Sequence, residues 1–273
     1  MKTKIIIALV IFIFCKITSA QDTMYLYKSG KVVNQQAVSK VDSFVFYKPK
    51  GTVTDADGNV YHTVTIGTQT WMVENLRTTK YNDGTPIPKV THTKATGTLT
   101  TPGVYTYNNT TNMDTIILYG LLYTWNTVNT GKIAPIGWHV PTEDELATYE
   151  NYLTANGYNY DGTTTGAKFA KALASVKYWN SSLYEGAVGN TDYPEKRNIT
   201  GFTGLPGGAL FDDGSSPKYF NEIGNIGYWW TSTAFDGYRA YSMRLEYNNR
   251  NFADDAGQLK GNAFSVRCIL NSF

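Results

Sequence analysis

Only two cysteines occur in this chain, Cys15 and Cys268, and their positions constrain how it can stabilise a fold. Cys15 lies in a stretch that has the pattern of a cleavable secretory signal, so Cys268 would remain alone after export. A lone cysteine cannot form an internal disulfide, so the exported protein has to be stabilised by burial of a hydrophobic core. The rest of the chain is long enough for one large domain with such a core.

The predicted signal peptide comprises residues 1–20. Two lysines precede an apolar run over residues 5–14, and small residues lead up to Ala20, after which we expect cleavage. The run is shorter than the roughly 20 apolar residues of a membrane-spanning helix, so we expect no transmembrane segment in the mature chain. A lipoprotein signal would use Cys15, but Phe14 occupies a position where a small residue is expected. We therefore expect a mature protein that is secreted or resides at the cell surface or in the periplasm.

The charge of the mature chain argues against a nucleic-acid partner. Three of the 24 lysines and arginines lie in residues 1–20, which leaves 21 basic against 22 acidic residues. This balance provides no polybasic surface for phosphate backbones, so we expect no nucleic-acid binding.

Motifs for catalysis, metal binding and cofactor binding are absent from the sequence. The three histidines are not spaced as a metal-binding pair, and the glycine-rich stretch 201–208 lacks the Lys-Ser/Thr of a phosphate loop. No nucleophile elbow, zinc-protease motif or dinucleotide fingerprint occurs. We therefore predict no catalytic residue, no metal and no cofactor, and we interpret His139 as a packed, hydrogen-bonded side chain.

We predict a short β-rich N-terminal segment over residues 21–49 and a main domain over residues 50–273. In the segment, residues 24–27 and 41–46 have the composition of short strands. The main domain starts with a hairpin whose turn contains Asp57-Gly58. The acidic residues of this turn do not complete an EF-hand, because that motif's glycine and its final glutamate are missing.

Two helices are predicted in the main domain. Thr142 and Glu145 form a capping box, and apolar residues then repeat at helical spacing as far as Leu153. A second helix is expected over residues 166–175. The region 91–111 is rich in threonine and asparagine and is predicted to be an exposed loop.

The C-terminal part of the chain consists of predicted turns and strands. Residues 241–247 alternate between apolar and polar side chains, as in a half-buried strand. Residues 264–268 show the same alternation, with Cys268 on the apolar side and Arg267 on the polar side. We therefore predict that Cys268 faces the core as a small hydrophobe, where its thiol would stay protonated.

Five ordered segments carry a resemblance to a known family. They are Thr52–Tyr61, Trp71–Leu76, Gly137–Thr142, Gly227–Thr233 and Phe264–Ile269. In this order they resemble the Fibrobacter succinogenes major paralogous domain, a family of exported bacterial proteins. The resemblance implies an α+β fold of the C-type lectin-like kind, loop-rich, with twisted antiparallel strands, two helices, and an early strand paired with a late one. It also implies a distant similarity to the formylglycine-generating enzymes.

The resemblance further implies where a ligand would bind. In related lectin-like proteins the variable ligand face lies in the C-terminal segment before the final strand, and Tyr, Arg and Asn are residues that binding surfaces prefer. The candidate ligand-binding residues are Tyr238, Arg239, Asn248, Asn249, Arg250 and Asn251. The Glu-Pro-Asn, Gln-Pro-Asp and Trp-Asn-Asp motifs of calcium-dependent sugar lectins do not occur.

These observations favour a non-catalytic, adhesin-like binding protein, secreted or associated with the cell surface, whose ligand is a glycan or a protein of the cell envelope. Two alternatives stay open. A divergent formylglycine-generating-type modifying enzyme would require a reactive Cys268. A structural subunit of a surface assembly could donate strands from residues 24–47 to a neighbour.

Overall fold

The computed structural model describes residues 23–28, 31–37, 51–90, 101–212 and 219–271, giving only the backbone of the first two ranges and of residues 254–256. The chain divides into two units, Met1–Phe44 and Val45–Phe273. The predicted signal peptide and the strand predicted over residues 41–46 lie outside the described residues.

In the first unit, β1 (Thr23–Lys28) and β2 (Lys31–Ala37) form an antiparallel pair. The strand predicted over residues 24–27 is thereby confirmed. The sequence did not predict β2, because its central residues 34–36 are Asn-Gln-Gln and lack the β-branched and aromatic side chains that mark strands.

The second unit consists mainly of strands. In chain order its described elements are β3 (Gly51–Thr54), β4 (Val60–Ile66), β5 (Gln69–Met72), β6 (Val104–Tyr105), α1 (Met113–Tyr119), β7 (Leu122–Thr124), α2 (Trp125–Val128), β8 (Trp138–His139), α3 (Glu143–Ala155), α4 (Ala170–Leu173), β9 (Gly207–Phe211), β10 (Tyr219–Ile223), β11 (Ile226–Ala234), β12 (Arg239–Glu246), β13 (Ala253–Leu259), β14 (Ala263–Phe264) and β15 (Ile269–Leu270). These strands form one sheet in the order β3-β4-β5-β15-β8 and a larger one in the order β13-β12-β11-β9-β14-β7-β6, with β10 paired to β9. The strand pairs are antiparallel except for β9 and β11, which run parallel. The predicted α+β class with mainly antiparallel strands is confirmed.

An early strand and the last described strand lie side by side, as predicted. Ile269 of β15 pairs with Trp71 of β5 on one side and with His139 of β8 on the other. The hairpin formed by β3 and β4 is also confirmed. Its Gly58 has a φ of +84°, a conformation that glycine adopts without the steric penalty of a Cβ.

Helix α3 begins at the predicted capping box. The Oγ1 of Thr142 accepts from the N–H of Glu145 at 3.2 Å, and the Glu145 carboxylate accepts from the N–H of Thr142 at 2.8 Å. The apolar stripe of α3 is buried, and its Tyr149 packs on Trp71 of β5 with ring centroids 4.9 Å apart. With 13 residues α3 is the longest described helix, and none of the described helices is long and apolar enough to cross a membrane.

The prediction of two helices is wrong, because the described residues contain four α-helical segments, and the second predicted helix has the wrong extent. The helix expected over residues 166–175 is the single turn α4, whose residues are all buried. A segment without a solvent-facing side lacks the amphipathic character of a longer surface helix. Distant N–H groups also occupy its carbonyls: Lys171 O accepts from Asn198 at 3.1 Å and Leu173 O from Gly204 at 2.7 Å.

The alternation predicted for residues 264–268 is wrong, because the segment is buried on both sides. Ser265 and Arg267 are as inaccessible as Cys268, whose predicted burial is confirmed. The segment leads from β14 in the larger sheet to β15 in the smaller one, so neither side faces solvent. Ser242 of β12, predicted on the polar side of its strand, is buried too.

The exposed loop predicted over residues 91–111 is wrong at Val104 and Tyr105. Residues 91–100 lie outside the described ranges, but β6 follows them and is buried. Tyr105 of β6 belongs to a core cluster with Leu122 and Leu210. The sequence analysis missed this two-residue strand because the surrounding threonines and asparagines favour a loop.

Candidate functional site

The six candidate ligand-binding residues lie at opposite ends of β12. Tyr238 and Arg239 stand where the strand begins, whereas residues 248–251 follow its end. Eight residues in a strand span roughly 25 Å. The structure therefore brings the candidates together in two groups and not in one continuous surface.

At the first end, the turn between β11 and β12 is held by local contacts. Arg239 pairs with the carboxylate of Asp236 at 2.7 Å, and its guanidinium lies over the ring of Phe235 at 4.8 Å. Tyr238 is 82% exposed. The Arg239 side chain is thus engaged in holding its own turn, and Tyr238 is the freely accessible member of this group.

At the second end, Asn248, Asn249 and Arg250 line an open pocket of about 250 Å³ together with Tyr184 and Glu185. Asn251 belongs to the same turn and donates its N–H to the Oδ1 of Asn249 at 3.0 Å, but it does not line the pocket. Sequence analysis missed Tyr184 and Glu185, because they lie more than sixty residues away in a segment without a recognisable motif.

Backbone contacts with two other segments fix the turn that carries the asparagines. The carbonyl of Asn249 accepts from the N–H of Val188 at 3.1 Å, and the carbonyl of Arg250 accepts from Ala170 at 3.3 Å. The guanidinium of Arg250 donates to the hydroxyl of Tyr160 at 3.1 Å. This wall of the pocket is therefore built on the core and not on a free loop.

A buried lysine holds the segment that forms the opposite wall. Lys171 of α4 is fully buried, forms an ion pair with Asp192, and donates to the carbonyl of Asn190 at 3.0 Å. The second carboxylate oxygen of Asp192 accepts from the N–H of Gly186 at 2.8 Å, next to Glu185. Burial lowers the pKa of Lys171, while Asp192 acts in the opposite direction. This ion pair thus adds to the backbone contact of Val188 in tying residues 184–192 to the core.

The motif residues of the sequence lie elsewhere, in a buried hydrogen-bond network. The Oδ1 of Asn75 accepts from the indole N–H of Trp229 at 2.7 Å and from the Nε of Arg267 at 2.9 Å. Arg267 also donates to the carbonyl of Thr203 at 3.0 Å and lies over the ring of Phe202 at 4.2 Å. Three motifs that are far apart in the chain meet at this point.

The three motif residues Asn75, Trp229 and Arg267 all lie within a match to a known family. Residues 64–270 match the profile of the Fibrobacter succinogenes major domain. The chain belongs to the Fibrobacter succinogenes major domain family. The match begins in β4 and ends in β15, so it includes strands of both sheets. No curated protein and no solved structure matches the chain.

In this family member, Cys268 is packed in the core and His139 is engaged in hydrogen bonds. Cys268 is completely buried, and burial raises the pKa of its thiol well above the usual range. His139 is hydrogen-bonded as interpreted, with Nδ1 2.6 Å from Oδ1 of Asn271 and Nε2 2.8 Å from Oε1 of Glu145. Among the described residues, no group of three or more His, Cys, Asp or Glu side chains could hold a metal ion.

The pocket lined by Tyr184, Glu185, Asn248, Asn249 and Arg250 offers an oriented set of hydrogen-bonding groups. The hydroxyl of Tyr193 donates to the Oε1 of Glu185 at 2.7 Å, and this bond raises the pKa of Tyr193 to about 12. The phenol therefore stays protonated at neutral pH and holds the carboxylate in place. Glu185 can accept, Arg250 can donate, and the two asparagine amides can do both.

Proposed function

We propose that this Fibrobacter succinogenes major domain protein is a non-catalytic, adhesin-like binding protein, secreted or associated with the cell surface, whose ligand is a glycan or another protein. The observation that carries the proposal is the pocket between residues 184–185 and 248–250. Its exposed polar side chains stand on segments whose backbones are tied to the core, an arrangement typical of binding loops on a rigid scaffold.

The state of the potentially reactive groups supports binding over catalysis. A cysteine nucleophile has to be accessible and ionised. Cys268 is completely buried, and burial raises the pKa of its thiol, so it is neither. The ring of His139 is occupied on both nitrogens by Glu145 and Asn271. Neither residue lines the pocket.

We propose further that the domain has a C-type lectin-like fold. It is supported by the pairing of β5 with β15, which brings an early and a late strand together, and by the placement of the larger sheet between them in the sequence. The pocket residues 248–250 precede the final strand, the region in which related lectin-like proteins place their ligand face.

The test is a glycan array together with a pull-down from cell-envelope extract, using the protein that begins at Gln21. A variant with Asn248→Ala and Arg250→Ala is compared with one in which Tyr238→Ala is the only change. We expect wild type and Tyr238→Ala to retain the same ligand and the double variant to lose it. An absence of ligand in both assays, or a ligand retained by all three proteins, would contradict the proposal for this pocket.

A further inference from the structure

We infer that the pocket recognises one neutral sugar ring, and that Tyr184 and Glu185 contact it together with Asn248, Asn249 and Arg250. This inference rests on the proposed binding function and narrows it to a ligand class. It also adds a second ligand-contacting segment, residues 184–185, to the one before the final strand.

The charge of the pocket favours a neutral ligand. Its described lining contains one carboxylate, Glu185, and one guanidinium, Arg250. A phosphate, sulfate or uronate group is usually bound by an excess of cationic donors, and a cationic ligand by an excess of carboxylates. This pocket has neither excess.

The hydrogen-bonding capacity of the pocket matches a polyol. Each sugar hydroxyl can donate one hydrogen bond and accept others, so it needs partners of both kinds. Glu185 supplies acceptors, Arg250 supplies donors, and the amides of Asn248 and Asn249 supply both. The described lining has no aliphatic side chain, which disfavours a lipid or another apolar ligand.

The size and one aromatic ring of the pocket point to a single sugar ring. A volume of about 250 Å³ lies just below the range of about 300–1,000 Å³ found for pockets that enclose drug-sized ligands. Tyr184 is 68% exposed, so its ring presents a flat, rigid apolar face that can pack against the C–H face of a pyranose. The pocket is open, so the sugar could be the end of a longer chain.

The experiment measures binding of the protein beginning at Gln21 to glucose, galactose, mannose and N-acetylglucosamine, and to glucuronate, galacturonate and sialic acid, by saturation-transfer NMR and calorimetry. We expect at least one neutral sugar to bind better than every acidic one. Its Kd should rise at least tenfold in Glu185→Gln and in Tyr184→Ala. Glu195→Gln serves as the matched control, because Glu195 is exposed in the same region but does not line the pocket.

The outcomes separate this inference from the proposed function. If the protein prefers an acidic sugar, the inference is overturned and the binding function stays intact. The same holds if its ligand is a protein and the Asn248→Ala, Arg250→Ala variant loses that ligand. Neutral-sugar binding that is unchanged in Glu185→Gln and Tyr184→Ala would also overturn it. Absence of any ligand, glycan or protein, would overturn both. Glu185 and Tyr184 are exposed, so we expect both variants to fold, and a thermal melt checks this.

Discussion

Arg267 donates from its Nε to the Oδ1 of Asn75, 2.9 Å away and 192 residues earlier in the chain. Both side chains are 1% exposed. The amide nitrogen of Asn75 donates in turn to the carbonyl of Tyr119 at 2.8 Å and to the hydroxyl of Ser265 at 3.2 Å. A buried amide with both ends engaged fixes the relative position of every segment that it touches, so this contact organises the domain.

Replacing Asn75 should therefore destabilise the domain strongly. In Asn75→Ala, the indole of Trp229 and the guanidinium of Arg267 lose a shared acceptor in the core. Buried polar groups that lose a partner cost about 1–3 kcal/mol each, and more when charged, so we expect a loss of about 3–5 kcal/mol. Urea unfolding measures it. The exposed Asn129→Ala should change stability by less than about 0.5 kcal/mol, and an equally small effect at Asn75 would contradict a structural role for the network.

The buried thiol yields a second prediction. In the protein that begins at Gln21, Cys268 is the sole cysteine and is completely inaccessible, so iodoacetamide should modify the native protein only as fast as it unfolds. Labelling in concentrated guanidinium chloride should be complete. A variant with the exposed Ser181→Cys should react at once through its new thiol. Rapid labelling of native Cys268 would instead favour the modifying-enzyme hypothesis.

The start of α3 should contribute a pH-dependent part of stability. Burial raises the pKa of Glu145, but hydrogen bonds from Thr142 and His139 outweigh it and hold this pKa below its usual value of 4.5. A carboxylate with a lowered folded-state pKa stabilises above its unfolded pKa, and that stability is lost as the pH falls through the folded-state pKa.

Glu145→Gln should accordingly be less stable than wild type at neutral pH, and the difference should shrink as the pH falls below about 4. Urea unfolding at a series of pH values measures both curves. Asp144→Asn is the matched control, since Asp144 is exposed on the same helical turn. A difference between wild type and Glu145→Gln that does not vary with pH would exclude the ionised carboxylate as its source.

The parts of the fold that the sequence predicts correctly are those whose signals are local. The capping box spans Thr142 to Glu145, and the turn at Gly58 depends on neighbouring residues. The pairing of β5 with β15 is a long-range feature, and the family resemblance supplied it. The alternating pattern correctly placed Cys268 in the core.

The errors arise where distant groups decide the environment. As a charged residue in an alternating segment, Arg267 is expected at the surface. In the structure, Asn75 and the carbonyls of Phe202 and Thr203 accept hydrogen bonds from its buried guanidinium. Likewise, Glu185 precedes Gly186, whose N–H donates to Asp192, the ion-pair partner of the buried Lys171. No spacing within the sequence encodes such contacts, so two of the five pocket residues, Tyr184 and Glu185, could not have been predicted.

The final prediction concerns that buried lysine. Lys171→Met keeps most of the side-chain volume but removes the charge that faces Asp192 and the carbonyl of Asn190. Removing one partner of a fully buried ion pair costs about 3–5 kcal/mol, and we expect a smaller loss here because the remaining Asp192 is partly exposed. Because Asp192 also accepts from the N–H of Gly186, we expect residues 184–192 to loosen, with faster amide hydrogen exchange at Gly186 than in wild type.

Lys168→Met is the matched control, three residues earlier in the chain. Lys168 pairs with Asp161 at 2.6 Å, but both side chains are partly exposed, and such pairs contribute about 0–1 kcal/mol. Its removal should leave exchange at Gly186 unchanged. If Lys171→Met also left exchange at Gly186 unchanged while lowering global stability, the lysine would stabilise the core without positioning the pocket wall. Faster exchange confined to residues 184–192 would establish that a buried charge positions this wall of the pocket.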